Sequence, residues 1–295
     1  MHFSGPVVCG VDFSDHSRRA LVIAQTVAQR LKQPLAVVTA IDPLLSRAAG
    51  FQSGGRRFLD HAQHDLQEFV VTTLGTAAKT GSDVTAHAVV GEPAESLLAH
   101  ASSAGASLIV VGTEGLGRAQ RLLFGSTTLR LMRATAQPIL AVAPVASDAG
   151  SSASEAPVAI GRILCGVDFS AASVAAARAA HALGRALGVP TTLVHAQVLV
   201  ALPTSWDAIL QPREEDLVAE SRAKLTELGS QLGDPAPGIE VKTGRPEDVI
   251  AAQAAGNDAL VVLGLGDASG HRPGSTAIRI LANAHLAVLA VPASH

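Results

Sequence analysis

Short, wholly apolar runs alternate along this chain with longer stretches in which apolar residues recur every three to four positions. In the first half the apolar runs lie near 6–11, 35–41, 84–90, 107–112 and 138–143. They are rich in β-branched residues and lack the polar alternation of a half-solvated strand, so they predict parallel strands covered on both faces. The stretches near 15–31, 56–79, 93–104 and 126–136 predict helices. In the first of these, Leu21, Ala24, Ala28 and Leu31 form one stripe at a 3.6-residue period. Gly81 is expected to close the second helix, and Pro93 opens the third at a position that suits proline.

The pattern then runs a second time. Strands are predicted near 162–167, 191–197, 239–243, 258–263 and 286–291, and helices near 171–187, 212–231, 246–256 and 275–284. The repetition extends to residue level. Val8-Cys9-Gly10-Val11-Asp12-Phe13-Ser14 returns as Leu164-Cys165-Gly166-Val167-Asp168-Phe169-Ser170. Gly91-Glu92-Pro93 returns as Gly244-Arg245-Pro246, and Gly125-Ser126-Thr127 as Gly274-Ser275-Thr276. A period of this length means two whole domains rather than a solenoid. The expected division is a first domain over 1–145, an Ala/Ser-rich flexible linker over 146–161, and a second domain over 162–295. Strand–helix alternation implies right-handed crossovers and an α/β fold of two doubly wound parallel sheets. The final runs, Ile139–Ala143 and Ala287–Val291, are placed at the sheet edges, where an exposed apolar strand invites association. The two domains are therefore expected to pair within the chain.

Composition narrows the function classes. The 295 residues are 48% hydrophobic and 16% charged, which excludes global disorder. Net charge is −3 and aromatics make up 3%, so neither a basic face nor a stacking platform for nucleic acid is expected. No run approaches the ~18 apolar residues of a membrane span, and no secretory leader is visible, so a cytoplasmic setting is expected. Cys9 and Cys165 read as small buried hydrophobes.

Candidate chemistry concentrates after the fourth strand. Gly112-Thr113-Glu114-Gly115 leaves an apolar run, and Gly125-Ser126 opens a helix. Glycines let a backbone approach an anion closely, and the free N–H groups of a helix's first turn point at it. Ser126, Thr127 and Thr128 add hydroxyl donors there. In doubly wound sheets ligands bind outside the carboxyl ends of the strands where the order reverses. Asp12, Ala40 and Gly112 end strands one, two and four, and line one crevice if those strands are neighbours. Other motifs are weaker. No P-loop, dinucleotide fingerprint or nucleophile elbow occurs. His61 and His64 stand three apart on a helix without a further metal ligand, and read as a solvated face. His87, His181, His195 and His285 read as structural, and Arg118 and Arg121 lie within the glycine loop.

Together the Val-Asp-Phe-Ser opening, the Gly-x-Pro before the third helix, the Gly-x2-Gly-x9-Gly-Ser loop and the closing Pro-Ile-Leu-Ala-Val run resemble the universal stress protein family, in tandem over nearly the whole chain. The resemblance implies a five-stranded parallel sheet in each domain, of the adenine nucleotide alpha hydrolase-like fold, with the domains packed as a pseudo-dimer. It implies ATP, or AMP or ADP, in the first crevice. Gly112, Gly115, Gly125, Ser126 and Thr127 would hold ribose and phosphates, Asp12 would face them directly or through Mg2+, and the main chain of Ala40 would recognise adenine. The second copy keeps Asp168, Ala196, Gly264 and Gly274 but has Asp267 where the second glycine belongs, and only six residues before Gly274. The implied function is nucleotide binding in stress response or signalling with little or no catalysis, through a homodimer or a protein partner that the sequence does not identify. A slow ATP hydrolase, an adenylyl-transfer enzyme and a nucleotide-free adaptor are the alternatives.

Overall fold

The computed structural model describes residues 3–44, 55–75, 83–113, 126–143, 160–198, 214–256, 258–266, 280 and 287–292. The chain forms two compact units. One gathers His2–Val158 with His285–Ala290, and the other chiefly Ala159–Ala284.

In the first unit the strands are β1 (Val7–Gly10), β2 (Leu35–Ile41), β3 (Val84–Val90), β4 (Leu108–Gly112) and β5 (Ile139–Val142). The helices are α1 (Asp15–Leu31), α2 (Gly55–Leu74), α3 (Pro93–Ser103) and α4 (Ser126–Ala134). The five strands are parallel in the order β3-β2-β1-β4-β5. The chain thus moves outward from β1 to β3, then returns to lay β4 on the other side of β1, and the order reverses between β1 and β4. The helices α1, α2 and α3 pack on this sheet, α1 chiefly over β1 and β4 and α2 over β3. Val7, Val8, Cys9 and Leu108–Val110 are fully buried, as strands covered on both faces require. Burial drives the Cys9 thiol well above its ordinary pKa and leaves it inert.

Both edges of this sheet are covered. The last strand of the chain, β10 (Ala287–Pro292), runs antiparallel to β5 with Ala287 opposite Val142 and Ala290 opposite Ile139. The two apolar closing runs expected at sheet edges therefore hydrogen-bond to each other. On the far side, Gln63 of α2 uses its amide as a stand-in strand. Its Nε2 donates to Ala86 O at 2.8 Å, and Ala88 N donates to its Oε1 at 2.8 Å. These are the outward peptide groups of β3, which would otherwise be an open edge.

The second unit repeats the plan with β6 (Arg162–Gly166), β7 (Thr191–Gln197), β8 (Gly238–Thr243) and β9 (Ala259–Leu265), parallel in the order β8-β7-β6-β9. Its helices are α5 (Ala171–Leu187), α6 (Glu214–Leu232) and α7 (Pro246–Gln253). The helix predicted over 275–284 lies almost wholly outside the described residues. No described helix is long and apolar enough to cross a membrane.

Helix limits follow local chemistry. Ser14 and Ser170 cap α1 and α5, each accepting from the N–H three residues on, Ser17 and Ser173. The stripe predicted for α1 is real but broader, because Ala20, Ile23, Gln25 and Val27 are buried too while Leu31 is half-buried. One expectation fails. The second helix ends at Leu74 rather than near 79, because Gly75 takes φ +58°, the left-handed conformation that terminates a helix. The predicted closing residue, Gly81, lies outside the described residues.

Candidate functional site

The strand order β2-β1-β4 places the ends of the three strands that carry Ala40, Asp12 and Gly112 side by side. Just past the end of β1, Asp12, Phe13 and Ser14 form a tight turn. Asp12 Oδ1 accepts from Ser14 N at 3.1 Å and from Ser14 Oγ at 2.5 Å. Between them Phe13 sits at φ +65°, a strained conformation for a bulky residue. Its ring, 39% exposed, meets Phe69 of α2 edge-to-face at 5.4 Å, and the Arg18 guanidinium lies 4.7 Å over the other ring. Aromatic and cation–π contacts of this kind contribute about 0.5–1.5 kcal/mol each, enough to offset much of the strain.

Ala40 gains its exposure from a side-chain bond on its neighbour. The β1–β2 ladder ends at Gly10 opposite Val38, and Val11 N still donates to Val38 O at 2.9 Å. The next carbonyl, Val11 O, is taken by Thr39 Oγ1 at 2.9 Å. Peptide groups alternate sides along a strand, so those of Ala40 point the same way as those of Val38, beyond the end of β1. One N–H donor and one C=O acceptor are thereby presented at the crevice. Sequence reasoning missed Thr39, since a lone threonine in a strand carries no signal of this role.

Gly112 has a packing reason of its own. A Cβ there would lie 3.1 Å from the main-chain carbon of His16 and 3.2 Å from its oxygen, in the first turn of α1. At the equivalent Gly264 a Cβ would stand 2.5 Å from the main chain of Ala172. Close helix–strand approach leaves no room for a side chain at Gly264 and little at Gly112. Gly115 and Gly125, with Arg118 and Arg121, lie outside the described residues, as does the Ser126 side chain. Thr127 is half-buried at the start of α4. Thr128, expected among the hydroxyl donors, instead turns inward, buried, and donates to Gly112 O at 3.0 Å. That bond pins the first turn of α4 to the end of β4.

A second tether does the same from outside. Arg130 of α4 reaches Glu92 Oε1 at 2.6 Å and Glu95 Oε1 at 3.3 Å. Glu92 also caps α3, accepting from Ala94 N and Glu95 N. The Gly-x-Pro motif announced the helix start, but not this pairing.

The second copy has the same turn with different surroundings. Asp168 Oδ1 accepts from Ser170 N at 3.0 Å and from Ser170 Oγ at 2.5 Å, and Phe169 sits at φ +63°. Burial raises the Asp168 pKa, but the hydrogen bonds from Ser170 and Ser173 outweigh it and hold the carboxyl below its ordinary value. In place of Thr39 stands His195, whose Nδ1 lies 2.7 Å from Val167 O. The Phe169 ring lies 4.7 Å from the imidazole. Around them opens a cavity of about 230 Å³ lined by, among others, Asp168, Val194, His195, Ala196, Ile250 and Leu263.

His61 is exposed beside Asp65, and no group of three or more potential metal ligands occurs among the described residues. His87 stacks on His100 at 4.8 Å. His181 is buried, and its Nε2 has no partner among the described residues. His285 lies outside the described residues.

Comparison with known proteins bears on the family and the fold. The model of the universal stress protein family matches residues 4–143 and again 159–292. The chain is 31% identical over 138 residues to a universal stress protein of Thermus aquaticus, a match covering 46% of this chain and 96% of that one. It is 28% identical over 148 residues to the universal stress protein YxiE of Bacillus subtilis, covering 46% and 97%. Among solved structures, a universal stress protein from Archaeoglobus fulgidus aligns over 97% of this chain and 98% of its own with a TM-score of 0.65. At 15% identity that likeness speaks for the fold alone.

Proposed function

The chain belongs to the universal stress protein family as a tandem of two such domains, and from that footing we propose that its first copy binds an adenine nucleotide and acts in stress response or signalling without appreciable turnover. The observation that carries this reading is the convergence at one crevice of the Ala40 peptide groups, the Asp12 turn, the end of β4 and the tethered start of α4. The Ala40 N–H and C=O suit the donor–acceptor edge of adenine. The loop from Gly112 through Gly115 to Gly125 and Ser126 has the composition to wrap a triphosphate, with Thr127 at the helix start. Asp12 fits a Mg2+ shared with phosphate oxygens, since Mg2+ is commonly held by one carboxylate plus substrate phosphates and water. The bound ion would offset phosphate charge, while Asp12 would orient it.

In this reading the domains are 1–145 and 162–295 with the linker 146–161, the protein works in the cytoplasm, and the nucleotide biases its interaction with itself or a protein partner. Equilibrium titration of the intact chain with ATP and Mg2+ tests it, together with mass spectrometry of ligand released from the purified protein. One adenine nucleotide per chain is the expected result. No binding at millimolar ATP would leave the adaptor reading in its place.

A further inference from the structure

We propose that the outer edge of β8 is a self-association surface, on which a second copy of this chain lays its own β8 antiparallel about a twofold axis at Val241. The pairing requires no bound nucleotide. β8 ends the strand order of its unit, with β7 on its inner side. In the first unit the corresponding edge strand, β3, has its outward peptide groups taken by the Gln63 amide. No such clasp holds β8 among the described residues. There α6 contributes Glu214, which accepts from Thr243 Oγ1 at 2.7 Å, a side-chain bond that leaves the main chain open.

Register decides which groups are open. Gly244 N donates to Gln197 O at 3.0 Å and so faces β7. Peptide groups alternate sides along a strand, so those of Glu240 and Lys242 also face β7, while those of Ile239, Val241 and Thr243 point outward. The same rule holds in β3, where Gly91 N donates inward to Ile41 O and the clasped residues are Ala86 and Ala88. Side chains alternate as well. Ile239 approaches Gly229 of α6, and Val241 on the same face is buried. A shielded peptide left without a partner is costly, and a further strand supplies both of its bonds. Glu240 and Lys242 stand half-exposed on the opposite face, with Lys242 Nζ 3.6 Å from Glu240 Oε2.

These two charges select the occupant and its direction. In an antiparallel pair turned about Val241, Glu240 of each copy stands opposite Lys242 of the other. Neither residue turns its peptide to the new strand, so these are the close, non-hydrogen-bonded pairs, and the charges alternate in sign across the seam. A parallel, in-register pair would set like charges side by side. Among the outward groups, Val241 exchanges both bonds with its own counterpart, and Ile239 with Thr243. Pro237 has no N–H to give and ends the ladder. One twofold contact uses the edge of both copies, so association closes at the dimer.

Sedimentation equilibrium on the full chain without nucleotide tests this, so its outcome does not depend on ATP binding. A monomer–dimer equilibrium is expected at submillimolar chain concentration. E240K sets like charges opposite each other at both symmetry-related pairs and should weaken dimerisation by about tenfold. The double variant E240K/K242E reverses both signs and should restore the parental affinity. Both side chains are half-exposed, so melting curves should not move. In hydrogen exchange followed by NMR, the amides of Ile239, Val241 and Thr243 should slow as concentration rises. Those of Glu240 and Lys242, which already face β7, should not change. A chain that stays monomeric would overturn the proposal and leave the edge to a strand of another protein. A dimer indifferent to E240K, a double variant that fails to recover, or unchanged exchange at the three outward amides would overturn it too.

Discussion

The two copies share the features that folding needs and differ in the features that meet a ligand. Both contain the Asp-Phe-Ser turn with its positive-φ phenylalanine, both cap the following helix with serine, and both place glycine where that helix's first turn crowds the fourth strand. These persist in the second copy although its glycine loop is shortened and carries an aspartate. They are therefore requirements of the sheet–helix junction, and none alone marks a nucleotide site. The differences are more informative. Thr39 corresponds to His195, Gln25 to His181, and Glu92 with its partner Arg130 to Arg245. Phe13 packs outward on α2, whereas Phe169 packs on the histidine of the cavity.

The largest expected effect comes from carrying the second copy's aspartate into the first. Gly115→Asp should lower ATP affinity by about one to three decades, because two negative groups near contact repel by ~1–4 kcal/mol and ~1.4 kcal/mol is tenfold. Calorimetry on a variant with an unchanged melting curve reads this directly, and wild-type affinity would show that the loop does not touch phosphate.

Next are the junction glycines. Gly264→Ala drives a methyl into the Ala172 main chain and should cost about 3 kcal/mol, near the top of the usual range for overpacking. Gly112→Ala meets its neighbour at 3.1 Å and should cost nearer 1 kcal/mol. Thermal unfolding should show the second unit's transition falling further. Equal shifts would contradict the difference in packing.

Acid should separate the units more gently. Burial, and then Arg185, hold the His181 pKa below the ordinary imidazole value. The unfolded chain thus takes up this proton more readily than the folded one. The second unit keeps the contribution above about pH 6.5 and loses it as pH falls further, by at most about 1.4 kcal/mol per pH unit. His181→Gln, which copies Gln25, should flatten this slope in denaturant melts at pH 5 to 8. His100, depressed by burial and then by His87, leaves a slope of the same sign in the first unit.

The smallest effect concerns helix starts. Glu92→Ala removes a cap and an exposed ion pair and should cost about 1 kcal/mol. Arg245 caps α7 without a side-chain bond, so Arg245→Glu should stabilise by about 0.5 kcal/mol. Melting curves of the two single variants decide whether the difference between the caps is energetic or incidental.

Much of the fold was legible because buried parallel strands leave uninterrupted apolar runs and the motifs occur twice. The crevice was legible as far as Asp12, Ala40 and Gly112, which end adjacent strands. The rest depended on contacts without a local pattern. Thr39 and His195 act on a carbonyl of the neighbouring strand, 28 residues away in sequence. Thr128 was misread because its helix start matters to a phosphate and to β4 alike, and the rotamer, not the residue type, chooses between them. The end of α2 was misplaced because two glycines could stop the helix, and the first one does so at Gly75.

The antiparallel seat of β10 on β5 also sets an order of events during synthesis. The first sheet emerges from the ribosome with β5 as a bare apolar edge, and its cover, Ala287–Ala290, is made only after residues 143–286 that lie between them. At roughly 5–20 residues per second, that edge waits on the order of ten seconds for its partner. Throughout that interval a neighbouring nascent chain presents the same unpaired strand, so crowded polysomes are where this protein is most exposed to mispairing.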